Sequence, residues 1–277
     1  MILNLDPKFA PFQNQEEIKF QSFTFSGGEP HIKITPDFDT NRKVTITHRL
    51  NSFNDLGLLC VTVDALRRMD VKIIDLFIPY FPAARQDRVM IPGEPLSVKV
   101  YADIINAMPL NKVFVFDAHS EVTPALLNNS TVIPNYTFIK AVLESIGNNV
   151  KLISPDGGAL KKIYKVSEFL GGVEVVECSK SRDVKTGKLS GFKVYENDLQ
   201  GMDCLIVDDI CDGGGTFVGL AEELKKKNAG KLYLAVSHGI FNKGFEVLNC
   251  FDGIFTTNSF KDFEGESVKV IGLDQLV

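Results

Sequence analysis

The run Cys204-Leu205-Ile206-Val207-Asp208-Asp209-Ile210-Cys211-Asp212-Gly213-Gly214-Gly215-Thr216-Phe217 constrains the fold more than any other stretch of the chain. Four apolar residues read as a buried parallel strand, then come two acids and three glycines, and Thr216 opens an amphipathic helix with Phe217, Leu220, Ala221 and Leu224 on one face. A strand ending in a glycine loop at a helix N-terminus is an anion site, because loop N–H groups and the positive end of the helix dipole converge there. Paired carboxylates beside such a cradle do not bind phosphate themselves. They suit the hydroxyls of a sugar, or a metal ion, on the same ligand. The spacing therefore implies a sugar-phosphate pocket. The alternative is a plain strand-to-helix turn capped by acids, but one capping residue suffices, and adjacent acids repel unless a ligand or metal compensates. No Gly-Lys-Ser/Thr follows the glycines and the acids precede them, so neither a Walker loop nor a dinucleotide fingerprint fits.

At 277 residues the chain has room for two domains, each with its own core. Its 44% hydrophobic and 23% charged residues place it among soluble globular proteins. A net charge of −5 argues against nucleic acid as a partner, so any anion binding must be local. No basic region followed by an apolar run opens the chain, and no apolar stretch reaches membrane-spanning length, so neither a signal peptide nor a membrane partner is expected. Cys60, Cys178, Cys204, Cys211 and Cys250 are scattered and contain no CxxC pair, which fits reduced thiols in a cytoplasmic protein without a zinc site. Cys211 sits in the loop but has no evident activating group, and reads as a packed residue.

Strand-like and helix-like segments alternate. Apolar strands are expected over 72–79, 112–116, 150–153, 173–176, 203–207, 231–236 and 253–256, and helices over 56–69, 96–107, 136–146, 158–169 and 216–227. This rhythm predicts an α/β protein of mainly parallel sheets flanked by helices. The opening third differs: 17–25, 31–35 and 43–47 look like short strands joined by turns, an antiparallel flap or edge. Two similar blocks predict domains over 1–145 and 146–265, with Gly147 capping the helix before the crossing. Residues 266–277 carry a short apolar strand (Val268, Val270, Ile271) that is a candidate to return to the first domain.

A second constellation follows the strand at 72–79: Pro79-Tyr80-Phe81-Pro82-Ala83-Ala84-Arg85-Gln86-Asp87-Arg88. Polar residues at the carboxyl end of a parallel strand are where doubly wound sheets place ligands. Two guanidiniums suit a polyphosphate, since each grips oxygens bidentately and stays charged. A solvated loop with internal Arg–Asp pairs is the plainer alternative. Two further strand ends carry Asp117-Ala118-His119-Ser120 and Ser154-Pro155-Asp156-Gly157-Gly158-Ala159. A histidine and an aspartate there can together hold magnesium on a nucleotide, with phosphate oxygens and water completing the shell.

On these pieces the chain resembles the ribose-phosphate diphosphokinases (phosphoribosyl pyrophosphate synthetases). The matching segments run in order from Phe25-Ser26-Gly27-Gly28-Glu29 and Val63-Asp64-Ala65-Leu66 through Arg85-Gln86-Asp87-Arg88, Asp117-x-His119 and Ser154-Pro155-Asp156. They end with Lys180-x-Arg182 and Asp208-Asp209-x-x-Asp212-x-x-Gly215-Thr216. The resemblance implies two tandem phosphoribosyltransferase-like domains, ATP and a ribose-phosphate as substrates, and transfer of the βγ-diphosphoryl group of ATP to the anomeric hydroxyl of ribose 5-phosphate. Carried over by motif, Arg85, Gln86, Asp87, Arg88 and His119 hold ATP, and Phe25 and Glu29 approach its adenine from a neighbouring subunit. His119 and Asp156 position Mg2+, and Asp208 and Asp209 bind ribose hydroxyls. Asp212, Gly213, Gly214, Gly215 and Thr216 bind the 5-phosphate. Lys180 and Arg182, in a polar stretch over 179–193 with a Thr186-Gly187 turn, close over the site and stabilise the transferring group. The resemblance also implies a homodimer at least, and commonly a hexamer.

Two departures stand out. Gly27 replaces the acid usual in the adenine loop, and Asp212-Gly213-Gly214-Gly215-Thr216 replaces the usual Asp-Thr-Ala-Gly-Thr. Loss of a hydroxyl and a methyl removes a phosphate donor and opens space beside the 5-phosphate. The expectation it raises is an acceptor larger than ribose 5-phosphate, such as ADP-ribose, against the simpler expectation that glycine N–H groups hold ribose 5-phosphate itself. A phosphoribosyltransferase would share the Asp208-Asp209 loop without needing residues 85–88, and a non-catalytic relative would typically have lost Lys180, Arg182 or His119.

Overall fold

The computed structural model describes residues 1–182 and 189–277. The Thr186-Gly187 turn lies outside the described residues, and of Ser181, Arg182, Leu189 and Ser190 only the backbone is described. The chain forms two compact units, Met1–Pro134 with Leu273–Gln275 and Val277, and Asn135–Gly272 with Leu276.

The first unit contains, in chain order, β1 (Ile2–Asn4), β2 (Phe20–Thr24), β3 (Pro30–Ile34), β4 (Val44–Thr47), α1 (Phe53–Arg68), β5 (Ile74–Ile78), α2 (Ser97–Asn106), β6 (Lys112–Phe116), α3 (Val122–Leu126) and β7 (Ser130–Ile133). Its sheet runs β1-β4-β5-β6-β7, all parallel, while β2 and β3 form a separate antiparallel hairpin. The segment over 43–47 is thus a correction: it is an interior strand, β4, and only the first two expected flap strands pair as a hairpin. Val44, Ile46 and Thr47 are buried, as a parallel strand covered on both faces requires, but four residues were too few to show that pattern. Helix α1 begins three residues before the apolar periodicity because Ser52 caps it. The Ser52 hydroxyl accepts Asp55 N–H at 3.2 Å, and Leu56, Leu59, Val63 and Leu66 form the buried face.

The second unit contains α4 (Tyr136–Ile146), β8 (Val150–Ser154), α5 (Leu160–Phe169), β9 (Val175–Arg182), β10 (Leu189–Val194), β11 (Asp203–Cys211), α6 (Gly215–Lys226), β12 (Leu232–Gly239), β13 (Gly253–Thr257) and β14 (Lys269–Ile271). Its sheet runs β10-β9-β8-β11-β12-β13-β14, parallel except for the β9–β10 pair. Gly147, at φ 96°, ends α4 and donates its N–H to Leu143 O at 2.8 Å. The units divide before α4, at Pro134/Asn135, where the sequence placed the crossing after it. Helix α4 belongs to the second unit because Phe138, Ile139, Val142 and Leu143 are buried and it packs on α5 and β12. The tail is divided too. Val268 is buried in the second core and β14 pairs with β13, while Leu273–Gln275 belongs to the first unit, with Leu273 fully buried and Asp274 accepting Gln13 Nε2 at 2.6 Å. No helix among the described residues is long and apolar enough to cross a membrane.

Candidate active site

In the first unit, the neighbouring parallel strands β5 and β6 end at Ile78 and Phe116, and Pro79 O accepts Phe116 N–H at 3.2 Å. The loops leaving these ends carry the polar groups, as a doubly wound sheet requires. Phe81 and Ala84 are buried and fasten the first loop, leaving Arg85, Gln86 and Arg88 exposed. Asp87 joins the two loops. Partial burial pushes its carboxyl up, but hydrogen bonds from Ser120 and Arg88 and the charges of Arg88 and His119 outweigh this and hold it below the usual carboxylate range. Arg88 Nε donates to Asp87 Oδ1 at 3.2 Å. The structure therefore brings Asp87, Arg88, His119 and Ser120 together. Ser120 was not singled out by sequence reasoning, although its place beside His119 was the available signal. Asp117 is fully buried with a left-handed φ of 45°, a strained turn of the kind found where a strand end is shaped for a site.

Phe25 and Glu29 close the β2–β3 hairpin. Phe25 N–H donates to Glu29 O at 2.9 Å, and Gly28 N–H donates to Phe25 O at 2.8 Å. Phe25 is 51% exposed and Phe23 50% exposed, their ring centroids 4.9 Å apart, with the His31 ring 5.0 Å from Phe23 and 5.4 Å from Phe25. Alternation along the strand puts Phe23 and Phe25 on one face, and register puts His31 opposite Phe23. Phe23 and His31 were legible by that period and were not singled out.

In the second unit β11 runs through Asp208 and Asp209 to Cys211, so the acids lie inside the strand end rather than after it, with Asp208 opposite Val236. Asp209 is buried, and its N–H donates to Asp208 Oδ1 at 2.9 Å. Burial, then the Asp209 charge and a hydrogen bond between the two carboxyls, push Asp208 well above its ordinary value. Beyond them the loop is tied down by its neighbour: Cys211 O accepts N–H from Ile240 at 2.9 Å and Phe241 at 3.1 Å, and Asp212 O accepts Asn242 N–H at 3.0 Å. Gly214 caps α6 in the left-handed region (φ 77°), and its carbonyl accepts Phe217 and Val218 N–H. Among the described residues, the N–H groups of Gly213, Gly214, Gly215 and Thr216 have no acceptor. Four unfilled donors at the positive end of a helix form an anion cradle.

The room that the sequence ascribed to the missing side chains is occupied. A Cβ on Gly214 would lie 2.8 Å from Leu248 Cδ2, and one on Gly213 would lie 3.3 Å from Asn242 Oδ1 and 3.4 Å from Lys243 Cε. The expectation of a cavity beside the 5-phosphate is corrected accordingly, because side chains after β12 fill it.

Asp156 and Lys180 were assigned separate roles, and the structure makes them an ion pair. Asp156 Oδ1 accepts Gly158 N–H at 2.9 Å and Ala159 N–H at 3.0 Å, while its Oδ2 pairs with the Lys180 ammonium on β9. Burial raises the Asp156 carboxyl, but Lys180 and the two N–H groups outweigh it and hold it below the usual range. Arg182 lies opposite Leu189 in the β9–β10 ladder. Among the described residues no three His, Cys, Asp or Glu side chains gather as a metal site. Magnesium carried on a nucleotide needs fewer protein groups, since it keeps waters and phosphate oxygens. Cys211 is fully buried, and burial pushes the Cys178 thiol up to about 12 and Cys204 up to about 11, so these are packing residues.

Two predictions follow from the β11–α6 turn. The raised Asp208 group makes the folded chain hold a proton that the unfolded chain releases above its ordinary value of 3.8, so stability falls as pH rises through that window. Asp208→Asn should remove that loss, raising Tm at pH 7 and flattening Tm against pH; equal Tm profiles would contradict it. Gly214→Ala should cost about 1–3 kcal/mol in urea denaturation, through left-handed strain and the clash with Leu248.

A family model for the N-terminal domain of ribose phosphate pyrophosphokinase matches residues 8–108, and one for the phosphoribosyl transferase domain matches residues 136–270. The chain is 31% identical to the ribose-phosphate pyrophosphokinase of Thermococcus kodakarensis, over 85% of this chain and 83% of that protein. It is 32% identical to the one from Aquifex aeolicus, over 79% and 71%. The crystal structure of phosphoribosylpyrophosphate synthetase from Mycobacterium smegmatis matches with a TM-score of 0.83 at 21% identity, covering 100% of this chain and 95% of that one, a likeness of fold. Both halves match in order, and the identity extends across them: the chain belongs to the ribose-phosphate pyrophosphokinase family.

Proposed function

We propose that the chain transfers the βγ-diphosphoryl group of ATP to the 1-hydroxyl of ribose 5-phosphate, giving phosphoribosyl pyrophosphate and AMP. The observation that carries this reading is the β11–α6 turn, where paired carboxylates adjoin four unfilled N–H donors. A sugar bearing a phosphate satisfies both at once. Asp208 and Asp209 accept from the ribose hydroxyls, and residues 212–216 receive the 5-phosphate. In the first unit Arg85, Gln86, Arg88 and His119, steadied by Asp87, hold the triphosphate. Phe25 and Glu29 meet the adenine from a second copy of the chain, in a homodimer or hexamer working in the cytoplasm.

The sugar 1-hydroxyl oxygen attacks the β-phosphorus. The bond from that phosphorus to the oxygen bridging it to the α-phosphate breaks, AMP leaves with that oxygen, and the hydroxyl proton passes to solvent. No side-chain nucleophile is needed; positioning and charge supply most of the acceleration. Magnesium on the triphosphate would neutralise phosphate charge; His119 of the first unit and Asp156 of the second are each a candidate ligand by their chemistry. Lys180 leaves Asp156 to reach the transferring group, and Arg182 is the second cation assigned to that step. A phosphoribosyltransferase would use the same β11 turn, but the match of residues 8–108 to the pyrophosphokinase N-terminal domain and the joined Asp87–Ser120 loops favour the diphosphokinase.

Incubation with ATP, magnesium and ribose 5-phosphate should release AMP and phosphoribosyl pyrophosphate in equal amounts by mass spectrometry; no AMP would overturn the reading. Lys180→Ala should lower kcat about 10²- to 10³-fold with little change in the KM for ATP, and an unchanged kcat would remove Lys180 from the transfer step.

A further inference from the structure

We infer that Lys243 is a specificity-determining residue for the acceptor, placing its ammonium on the acceptor's phosphate. The inference deepens the proposed function and rests on it for the identity of the acceptor.

Lys243 lies outside every motif that the sequence singles out, yet its stem packs against the phosphate loop. Its Cε and Cδ come within 3.4 and 3.5 Å of where a Cβ of residue 213 would sit. Gly213 has no left-handed backbone to explain it. A Cβ there would make ordinary contact with the lysine stem, so the stem runs directly alongside this residue of the loop. Lys243 brings a charged donor to the loop from the short segment that follows β12.

The backbone that carries Lys243 is fixed to the loop. Ile240, Phe241 and Asn242 each donate an N–H to Cys211 O or Asp212 O. On either side of Lys243, the Phe241 and Phe245 rings meet tilted at 4.8 Å between centroids, and both contact Phe263, at 5.5 and 5.8 Å. Lys243 thus projects from a short segment held at both ends by an aromatic cluster. The nearby Lys261 is already committed to Ile240 O at 2.7 Å. Among the described residues, Lys243 has no carboxylate or carbonyl partner.

The electrostatics call for such a group. Asp208, Asp209 and Asp212 surround the cradle, and the whole chain carries −5. An incoming phosphate dianion meets that field with only partial positive charges from four N–H groups and a helix end. A full charge at hydrogen-bond range offsets it, and because an ammonium is a point charge it rewards charge more than shape. Lys243 therefore favours a terminal phosphate monoester, with two negative charges, over an acceptor whose 5-phosphate is esterified and carries one.

The test compares AMP release with varied ribose 5-phosphate for the full chain and for Lys243→Ala, Lys243→Met, Lys243→Arg, Gly213→Thr and the Gly213→Thr/Lys243→Ala pair. Lys243→Met keeps the stem against Gly213 and removes only charge. Lys243→Ala and Lys243→Met should each raise KM for ribose 5-phosphate about tenfold, with kcat and the KM for ATP within about twofold. Lys243→Arg should recover most of the loss, and the tenfold gap should shrink in high salt. Gly213→Thr should displace the lysine stem and restore a hydroxyl, so that adding Lys243→Ala to it costs far less than tenfold. An unchanged KM in Lys243→Met overturns the inference. Absence of AMP from the unmodified chain overturns the proposed reaction instead; calorimetric binding of ribose 5-phosphate without ATP then still judges Lys243, by a tenfold weaker affinity in Lys243→Met or none.

Discussion

Two carboxylates, Asp208 and Asp209, share one buried strand end that cannot carry two negative charges without a partner. Much of the second unit can be read as what makes that arrangement tolerable. Strand β11 lies between β8 and β12 in parallel register, so the acids are delivered at the carboxyl edge of a rigid apolar slab. The turn that follows presents unfilled N–H donors and the positive end of α6 next to them. A ligand with hydroxyls at one end and an anion at the other relieves both stresses. The raised Asp208 carboxyl marks that stress: the folded chain tolerates the pair by holding a proton on it.

The first unit solves a different problem with the same architecture. Its parallel strands also end in polar loops, but there the charges are mixed: Asp87 gathers Arg88, His119 and Ser120 into one connected group. That connection orients side chains on two loops that the sequence separates. In the second unit Lys180 and Asp156 are paired with each other across β9 and the loop after β8. The pair helps hold the Asp156 carboxyl below the usual carboxylate range.

Much of this was legible in the sequence, and the exceptions have physical causes. Helix α4 and strand β6 match their expected bounds because their apolar residues keep one period to the ends. The β11–α6 turn was legible because three glycines at a strand-to-helix junction admit few readings. Strand β4 was misplaced, and β1 and β7 were unseen, since three or four residues show no period. The division of the chain was set eleven residues late because a helix's own sequence does not say which core its apolar face joins. At the site, local motifs identified residue types, but partners distant along the chain decided their state. The Asp156–Lys180 pair, the seating of Leu248 against Gly214, and the approach of Lys243 to Gly213 are tertiary contacts that no single motif contains.

The central claim is that one turn of β11 and α6 receives a phosphorylated ribose, acids to hydroxyls and backbone N–H groups to phosphate. A crystal structure of the chain with ribose 5-phosphate tests it most directly. The account predicts phosphate oxygens within hydrogen-bond distance of the N–H groups of Gly213, Gly214, Gly215 and Thr216, and ribose hydroxyls on the carboxylates of Asp208 and Asp209. A phosphate bound elsewhere, or a sugar turned so that those carboxylates face no hydroxyl, would contradict it.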